Sequence, residues 1–451
     1  MKTRLFFISL LVPVMVLCTP PATTDNQEQN TTPTTPVENP DDAIDPEVKN
    51  GDRILVTNEI IEKFITTEKD KYKERDYSYS AMKRGAEADY LVKETYVDDN
   101  GVTQRRLYIS PGNCDLPPVF TIRWPKDTQN KEYTGKLVEN GTKTLEYTLD
   151  PNPDLEVSFG YWKLTNLLPN AHYSYEVKNG SEMVTSGEFD TYGSLHQLSF
   201  LPSSVQGVRN VRDLGGWITE DGKMVRYRMV YRGGRPEKIS RLGLKQAQDE
   251  GIKAEVDLRG WSYQKDAKGN YVLDENGQKI KESHDFLASS PFLEADFLAP
   301  EIDEGYRIML RDDPVRTKQV IEFIMDKVAE DKPVYFHCSL GRDRTGTTAL
   351  LILGILGVNE GHISVDYEIT QFAPIGYSVS GGESTRMTRL SGVDYDGAAK
   401  YLWEFGKKAD GTYEPFATCV QKYMNSIGIT DDKITAFRNK MLVPVSECNN
   451  P

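Results

Sequence analysis

The segment His337-Cys338-Ser339-Leu340-Gly341-Arg342-Asp343-Arg344-Thr345-Gly346 gathers a thiol, two guanidinium groups, a carboxylate and an imidazole within ten residues. Cys338 and Arg344, six positions apart, frame five residues whose backbone N–H groups can converge on an anion if a helix starts just behind them. A thiol facing a helix N-terminus and a guanidinium is driven toward the thiolate, its nucleophilic form. Arg344 adds a planar fork for two oxygens of a bound oxyanion. Gly341 lets the loop backbone approach closely, and the Thr345 hydroxyl can donate to the sulfur. His337 reads as a hydrogen-bonding prop for the loop. A cysteine and an arginine at this spacing are a weak signal alone; their flanking elements make the signal specific.

Those elements are legible from hydropathy. Val334-Tyr335-Phe336 reads as a buried strand, and Thr345 to Leu356 is apolar on nearly every face, as a buried helix is. Before them, Val315, Val320, Ile321, Ile324 and Val328 stripe a helix that ends in the turn Lys332-Pro333. Further upstream, Ser240 reads as an N-cap, Leu242, Leu244 and Ala247 as a helical face, Gly251 as the helix end and Ile252 to Leu258 as a strand. Strand, short loop and buried helix place a ligand-holding loop at the carboxyl edge of an α/β sheet. The polar stretch Ser262 to His284, rich in glycine turn signals, predicts an inserted hairpin.

With 451 residues the chain is too long for one ordinary domain. Hydrophobic residues at 38% and charged residues at 27% suit soluble domains with packed cores. A net charge of -14 has the wrong sign for gripping nucleic acid, so any anion must be held locally. Five cysteines are too few for a disulfide framework, and the five histidines show no metal-binding spacing. The reading therefore needs no metal and no cofactor.

The domain plan has four parts. Residues 1–17, with Lys2 and Arg4 before an apolar run, read as a signal peptide, and residues 18–48 as a disordered tether. The order of apolar run, Cys18 and polar stalk resembles a bacterial lipoprotein, although Leu17 departs from the small residue usual before the lipidated cysteine. The resemblance implies an exported cell-envelope protein tethered through Cys18. Residues 49–195 read as a β-sandwich with an N-terminal extension: Ile60, Ile61, Phe64 and Ile65 form a short amphipathic helix, and Asn100-Gly101, Asn140-Gly141 and Asn179-Gly180 mark hairpins. Within it, residues 115–192, with Tyr161-Trp162-Lys163-Leu164 and Tyr173-Ser174-Tyr175, resemble a fibronectin type III or immunoglobulin-like module. No chemistry converges there, which predicts a spacer or docking role. Residues 196–448 form the α/β domain that carries the loop.

The loop resembles the signature of cysteine-dependent protein tyrosine phosphatases, specifically the bacterial HCxxGKDRTG group that includes secreted tyrosine and phosphoinositide phosphatases. Asn210-Val211-Arg212-Asp213-Leu214-Gly215-Gly216, Tyr231-Arg232-Gly233-Gly234, Val256-Asp257-Leu258-Arg259 and Asp366-Tyr367 fit the same family. The resemblance implies phosphomonoester hydrolysis: Cys338 as nucleophile, Arg344 with the backbone of Ser339, Leu340, Gly341 and Arg342 on the phosphate, and His337 and Thr345 in support. It implies Asp343 as general acid, with Asp296, on a mobile upstream loop, as the alternative. Asp257 and Asp213 read instead as ion-pair partners of the adjacent arginines. Arg342 stands where the family usually has Lys; its charge favours a strongly anionic headgroup such as a phosphoinositide or inositol phosphate alongside phosphotyrosine in a phosphorylated protein, and the sequence does not choose between them. Two other classes compete: a catalytically weak protein that holds phosphorylated ligands, and a sulfur-transfer or redox enzyme. The oligomeric state and the pairing of Cys114, Cys419 and Cys448 are not readable.

Overall fold

Two stretches with different hydropathy periods build two cores, as seen in a computed structural model that describes residues 45–68, 92–97, 103–107, 116–125, 132–149, 159–200, 208–236, 239–259, 262–263, 266–282, 294–298, 306–373 and 393–445. The expected signal peptide, Cys18, the expected Asn100-Gly101 turn, Cys114 and Cys448 lie outside the described residues.

The first stretch alternates with period two. Along β8 (His172–Asn179) Tyr173, Tyr175 and Val177 are buried while the residues between them are not. A sheet of order β1-β9-β8-β5-β6 joins β1 (Asp52–Leu55), β9 (Glu182–Tyr192), β8, β5 (Tyr133–Glu139) and β6 (Lys143–Leu149). Only β1 pairs parallel, with β9; the others are antiparallel. Asn140 and Gly141 sit at φ +49° and +70°, the left-handed geometry that a tight β5–β6 hairpin requires. A separate antiparallel pair, β4 (Phe120–Pro125) and β7 (Phe159–Leu164), sends Ile122, Trp124, Trp162 and Leu164 into the same core as Leu137, Tyr173 and Phe189 of the larger sheet. β2 (Val92–Val97) and β3 (Thr103–Leu107) form a further antiparallel pair on either side of the predicted Asn100-Gly101 turn.

In the second stretch the central sheet has the order β10-β12-β17-β13-β16, from β10 (Arg212–Asp213), β12 (Val230–Gly233), β13 (Ala254–Asp257), β16 (Ala295–Leu298) and β17 (Val334–His337). All neighbours are parallel except β10 with β12. β12, β13 and β17 are buried at every position, as interior strands of a covered parallel sheet are. β11 (Lys223–Val225) pairs with β18 (Leu442–Pro444), and β14 (Ser262–Tyr263) with β15 (Lys281–Glu282) across the inserted segment.

α1 (Glu59–Glu68) lies between β1 and β2, and α2 (Arg241–Asp249), α3 (Tyr306–Arg311), α4 (Pro314–Ala329), α5 (Asp343–Leu356), α6 (Glu360–Ile369), α7 (Val393–Glu404), α8 (Phe416–Ser426) and α9 (Asp431–Met441) accompany the central sheet. The Ser240 side chain caps α2 by accepting from the Gly243 amide. α5 is buried at every position from Thr345 to Leu356. Among the described residues no helix is long and apolar enough to cross a membrane.

Two helical faces differ from expectation. Leu242 is 53% exposed, because α2 turns Gly243 and Ala247 inward and Leu242 lies about 100° off that stripe. Val315 is 67% exposed for the same reason: the buried stripe of α4 begins at Thr317 and continues through Val320, Ile321, Ile324 and Val328.

The first stretch packs directly against the α/β domain. Ile61, Phe64 and Ile65 of α1 are buried in the core of the α/β domain, not with the strands that follow them, and the Phe64 ring lies 5.2 Å from that of Phe372. In return, Met224 and Tyr227 are buried in the β-rich core. Arg228, held at φ +61°, pairs with both carboxylate oxygens of Glu139 in β5 and donates to Glu250 at 3.0 Å, while the Tyr173 hydroxyl donates to Glu139 at 2.5 Å. Residues 45–451 accordingly form one compact unit.

Candidate active site

Parallel register brings three strand ends together, because Gly233 of β12 and Asp257 of β13 both stand opposite His337 of β17. The chain leaves β17 at Cys338, turns through residues 339–342 and enters α5 at Asp343. Gly341 has φ +67°, and a Cβ there would sit 2.4 Å from the carbonyl carbon and oxygen of Gly233. Both the backbone angle and the close approach therefore demand glycine.

The loop carbonyls are tied outward. Asn210 Nδ2 donates to Leu340 O at 3.3 Å, to Gly341 O at 2.9 Å and to Thr370 Oγ1 at 3.1 Å. Arg232 Nη2 donates to Gly341 O at 2.8 Å, and the Arg235 amide to Ser339 O at 3.2 Å. In a trans peptide the carbonyl of one residue and the N–H of the next point opposite ways. Turning the carbonyls of Ser339, Leu340 and Gly341 outward thus turns the N–H groups of Leu340, Gly341 and Arg342 to the other face of the loop.

Cys338 is buried at the base of this turn, 3% exposed. Burial alone would raise its pKa, but the Thr345 hydroxyl, the Arg344 guanidinium and the amides of Thr345 and Leu340 outweigh it and bring the thiol down to about 7. Thr345 Oγ1 is buried with no partner of ordinary hydrogen-bond geometry, so its effect on sulfur is a short-range electrostatic one rather than a well-formed bond. Arg344, half-buried, donates from Nη1 to the Leu258 carbonyl at 3.1 Å. Asp343 accepts from Arg342 Nε, and its second oxygen from Arg342 Nη2 at 3.1 Å.

His337 is fully buried, with Nε2 2.8 Å from Glu255 Oε1 and Nδ1 3.2 Å from the Cys338 carbonyl. Burial pushes its pKa down, yet Glu255 and Asp257 more than reverse this and raise it, so the imidazole is held by a carboxylate inside the domain. Asp257 pairs with Arg259, whose Nη2 lies 2.6 Å from Oδ2. Asp213 does not pair with Arg212 as its neighbour in sequence suggests. The two side chains go to different partners: Asp213 accepts from the amides of Arg228 and Gly215 and lies 3.3 Å from His196, whereas Arg212 reaches Asp366. Asp296 is in β16, paired opposite Glu255, not on a loop; its side chain lies outside the described residues.

Asn210, Arg232, Asp366 and Glu255 are the residues that local reasoning did not assign to the site. Three of them stand in the short segments quoted for the family resemblance. Their type carries no catalytic signal, because their work is to hold backbone and charge. Among the described residues no cluster of three or more histidine, cysteine, aspartate or glutamate side chains is arranged to hold a metal.

A model of the tyrosine phosphatase family matches residues 203–443, more than half of the chain's 451 residues. A Cupriavidus necator protein, named provisionally as a tyrosine-protein phosphatase, is 30% identical over 185 residues, covering 37% of this chain and 64% of that protein. The chain therefore spans under two thirds of that relative's length. The family match runs from just before Asn210 to β18 and encloses the loop and every segment that ties it down, and on that basis the chain belongs to the tyrosine phosphatase family.

Proposed function

We propose that the chain is an exported phosphomonoesterase that works through a cysteinyl-phosphate intermediate on phosphotyrosine, on phosphoinositide-type substrates, or on both. The observation that carries this reading is a thiol brought to about 7 beneath a loop whose carbonyls are tied away from it. The Cys338 thiolate attacks phosphorus; the S–P bond forms as the P–O bond to the alcohol breaks, and Asp343 protonates the leaving oxygen. Water then attacks phosphorus, gives its proton to the Asp343 carboxylate, and the thiolate leaves. The amides from Ser339 to Asp343 and Arg344 hold the equatorial oxygens, best in the transition state. His337 and Thr345 act in support.

The Arg342–Asp343 pair bears on this assignment. A carboxylate held by two N–H groups of one guanidinium must give up that pairing before it carries a proton. A phosphoryl group entering the loop competes for Arg342 and so releases Asp343 when substrate is present. The same pairing favours a phospho-ligand-holding protein if release does not occur. Turnover of p-nitrophenyl phosphate decides: the wild type should hydrolyse it, and Cys338→Ser should bind vanadate without turnover. A wild-type chain that binds phosphate analogues and turns over nothing would leave only the holding reading.

The shared core of the two sheets in the first stretch supports a fibronectin type III-like sandwich over residues 115–192, and the leader supports export with a lipid on Cys18. Radiolabelled palmitate incorporation, lost in Cys18→Ser, tests the anchor.

A further inference from the structure

Beneath the loop lie two buried arginines and one carboxylate. Arg212, Arg232 and Asp366 are 1%, 0% and 1% exposed. Asp366 Oδ1 accepts from Arg212 Nε at 2.9 Å and Oδ2 from Arg232 Nη1 at 2.5 Å; Arg212 Nη2 also donates to the Asp366 carbonyl at 2.7 Å. Arg212 Nη1 donates to Asn210 Oδ1 at 2.5 Å, orienting the amide that holds the loop. Arg232 donates to Gly341 O itself, while its Nε is buried without a partner. Two guanidinium groups against one carboxylate leave a positive charge that no residue of the cluster cancels. Burying it is costly unless something nearby benefits.

Around the cluster, charges on β17, β13 and the loop are matched in pairs, and α6 carries one further buried carboxylate, Glu368. From β17 and β13, His337 faces Glu255 and Arg259 faces Asp257; from the loop, Arg342 faces Asp343. Arg344 is the cation on the α5 side of the sulfur. Cys338 is close enough to use the excess, since its charge acts on Arg232. Burial and Arg212 bring the Arg232 pKa down to about 10, and the charge on Cys338 acts on Arg232 in the opposite direction. Such an interaction is reciprocal, so Arg232 favours the thiolate.

We propose that the Arg212–Asp366–Arg232 cluster is the electrostatic anchor of the reactive loop, with its unmatched guanidinium charge holding Cys338 ionised and its bond to Gly341 holding the loop amides in place. Arg232 is thereby a positioning residue for the hydrolysis proposed above, on which this inference rests. The two duties separate by substitution. Arg232→Met removes the charge and the bond, Arg232→Lys keeps the charge, and Asp366→Asn adds to the excess.

The test is the pH midpoint of Cys338 alkylation by iodoacetamide in the full chain, read by mass spectrometry on the peptide that contains it, with thermal melting alongside. Arg232→Met should raise the midpoint by about one pH unit, and Asp366→Asn should lower it by a similar amount. Arg232→Lys should leave it within a few tenths while reducing turnover of p-nitrophenyl phosphate. A merely structural role moves Arg232→Met and Asp366→Asn in the same direction, or neither, and either result overturns the anchor. If Arg232→Met does not fold, the other two variants decide, since a raised midpoint in both also overturns it. Hydrolysis by the wild type with immobile midpoints removes the anchor alone, whereas opposed shifts without wild-type hydrolysis remove the phosphatase reading alone.

Discussion

The side-chain amide of Asn210 stands 2.9 Å from the carbonyl oxygen of Gly341, 131 residues further along the chain. The same nitrogen reaches Leu340 O and Thr370 Oγ1, so one NH2 group joins the reactive loop to the turn after α6. The shape of the loop is therefore set from outside it.

Asn210→Ala should cost about 1–3 kcal/mol of stability, as expected when buried acceptors lose their donor. Turnover of p-nitrophenyl phosphate should fall about tenfold or more, since loop amides rotated away stabilise the transition state less. Steady-state kinetics and a thermal melt measure both, and wild-type turnover in this variant would contradict the assigned role.

The Cys338 thiol, at about 7 against an ordinary 9.0, should alkylate with a midpoint near neutral pH. The reactive form is the anion, so the rate rises as pH increases through that midpoint. Burial opposes the anion and the Thr345 hydroxyl is the largest group favouring it, so Thr345→Ala should move the midpoint toward 9 while Thr345→Ser holds it. A midpoint unchanged in Thr345→Ala would show that the hydroxyl does not act on the sulfur.

Asp343→Asn should slow alkyl phosphates about 10²- to 10⁴-fold, the usual worth of a general acid, and slow p-nitrophenyl phosphate far less, because that leaving group needs no proton. An equal loss on both would assign Asp343 to binding and leave Asp296 as the general acid.

The junction between the two cores should be acid-sensitive. Burial opposes ionisation of Glu250, but Arg228, His196 and Lys143 overcome it and hold the carboxyl at about 2 instead of 4.5. A folded-state pKa below the unfolded one stabilises the fold above about pH 4.5 and loses that contribution as pH falls toward 2. The contribution is at most roughly 3 kcal/mol. Glu250→Gln should therefore be clearly less stable than wild type at pH 7 in urea titrations, with the gap narrowing as pH falls from about 4.5 toward 2; a gap of constant size would disprove the linkage.

Much of this molecule is local in origin. The spacing of Cys338, Gly341, Arg344 and Thr345, the strand before them and the buried helix after them are all set within about twenty consecutive residues, where chain geometry alone dictates who meets whom. The hairpin glycines and the Ser240 cap are legible for the same reason. Hydropathy also marked Ile61, Phe64 and Ile65 as a buried face, but a period says only that a face is covered and not by what. Their neighbours in sequence are strands, and their neighbours in space are α6 and Phe372.

The tertiary structure alone decided the partners across long separations. Arg212 stands next to Asp213 in the chain, yet its carboxylate is Asp366, because adjacent residues on a strand point to opposite faces of the sheet. Asn210, Arg232 and Asp366 carry no chemical signature of their own; the pairing of β10 and β12 beside β17 and the packing of α6 bring them under one loop. The primary structure determined which thiol stands between the strand and the buried helix. The fold determined the charges that surround it and the direction its loop amides face, since both depend on groups that sequence distance keeps apart and packing brings together.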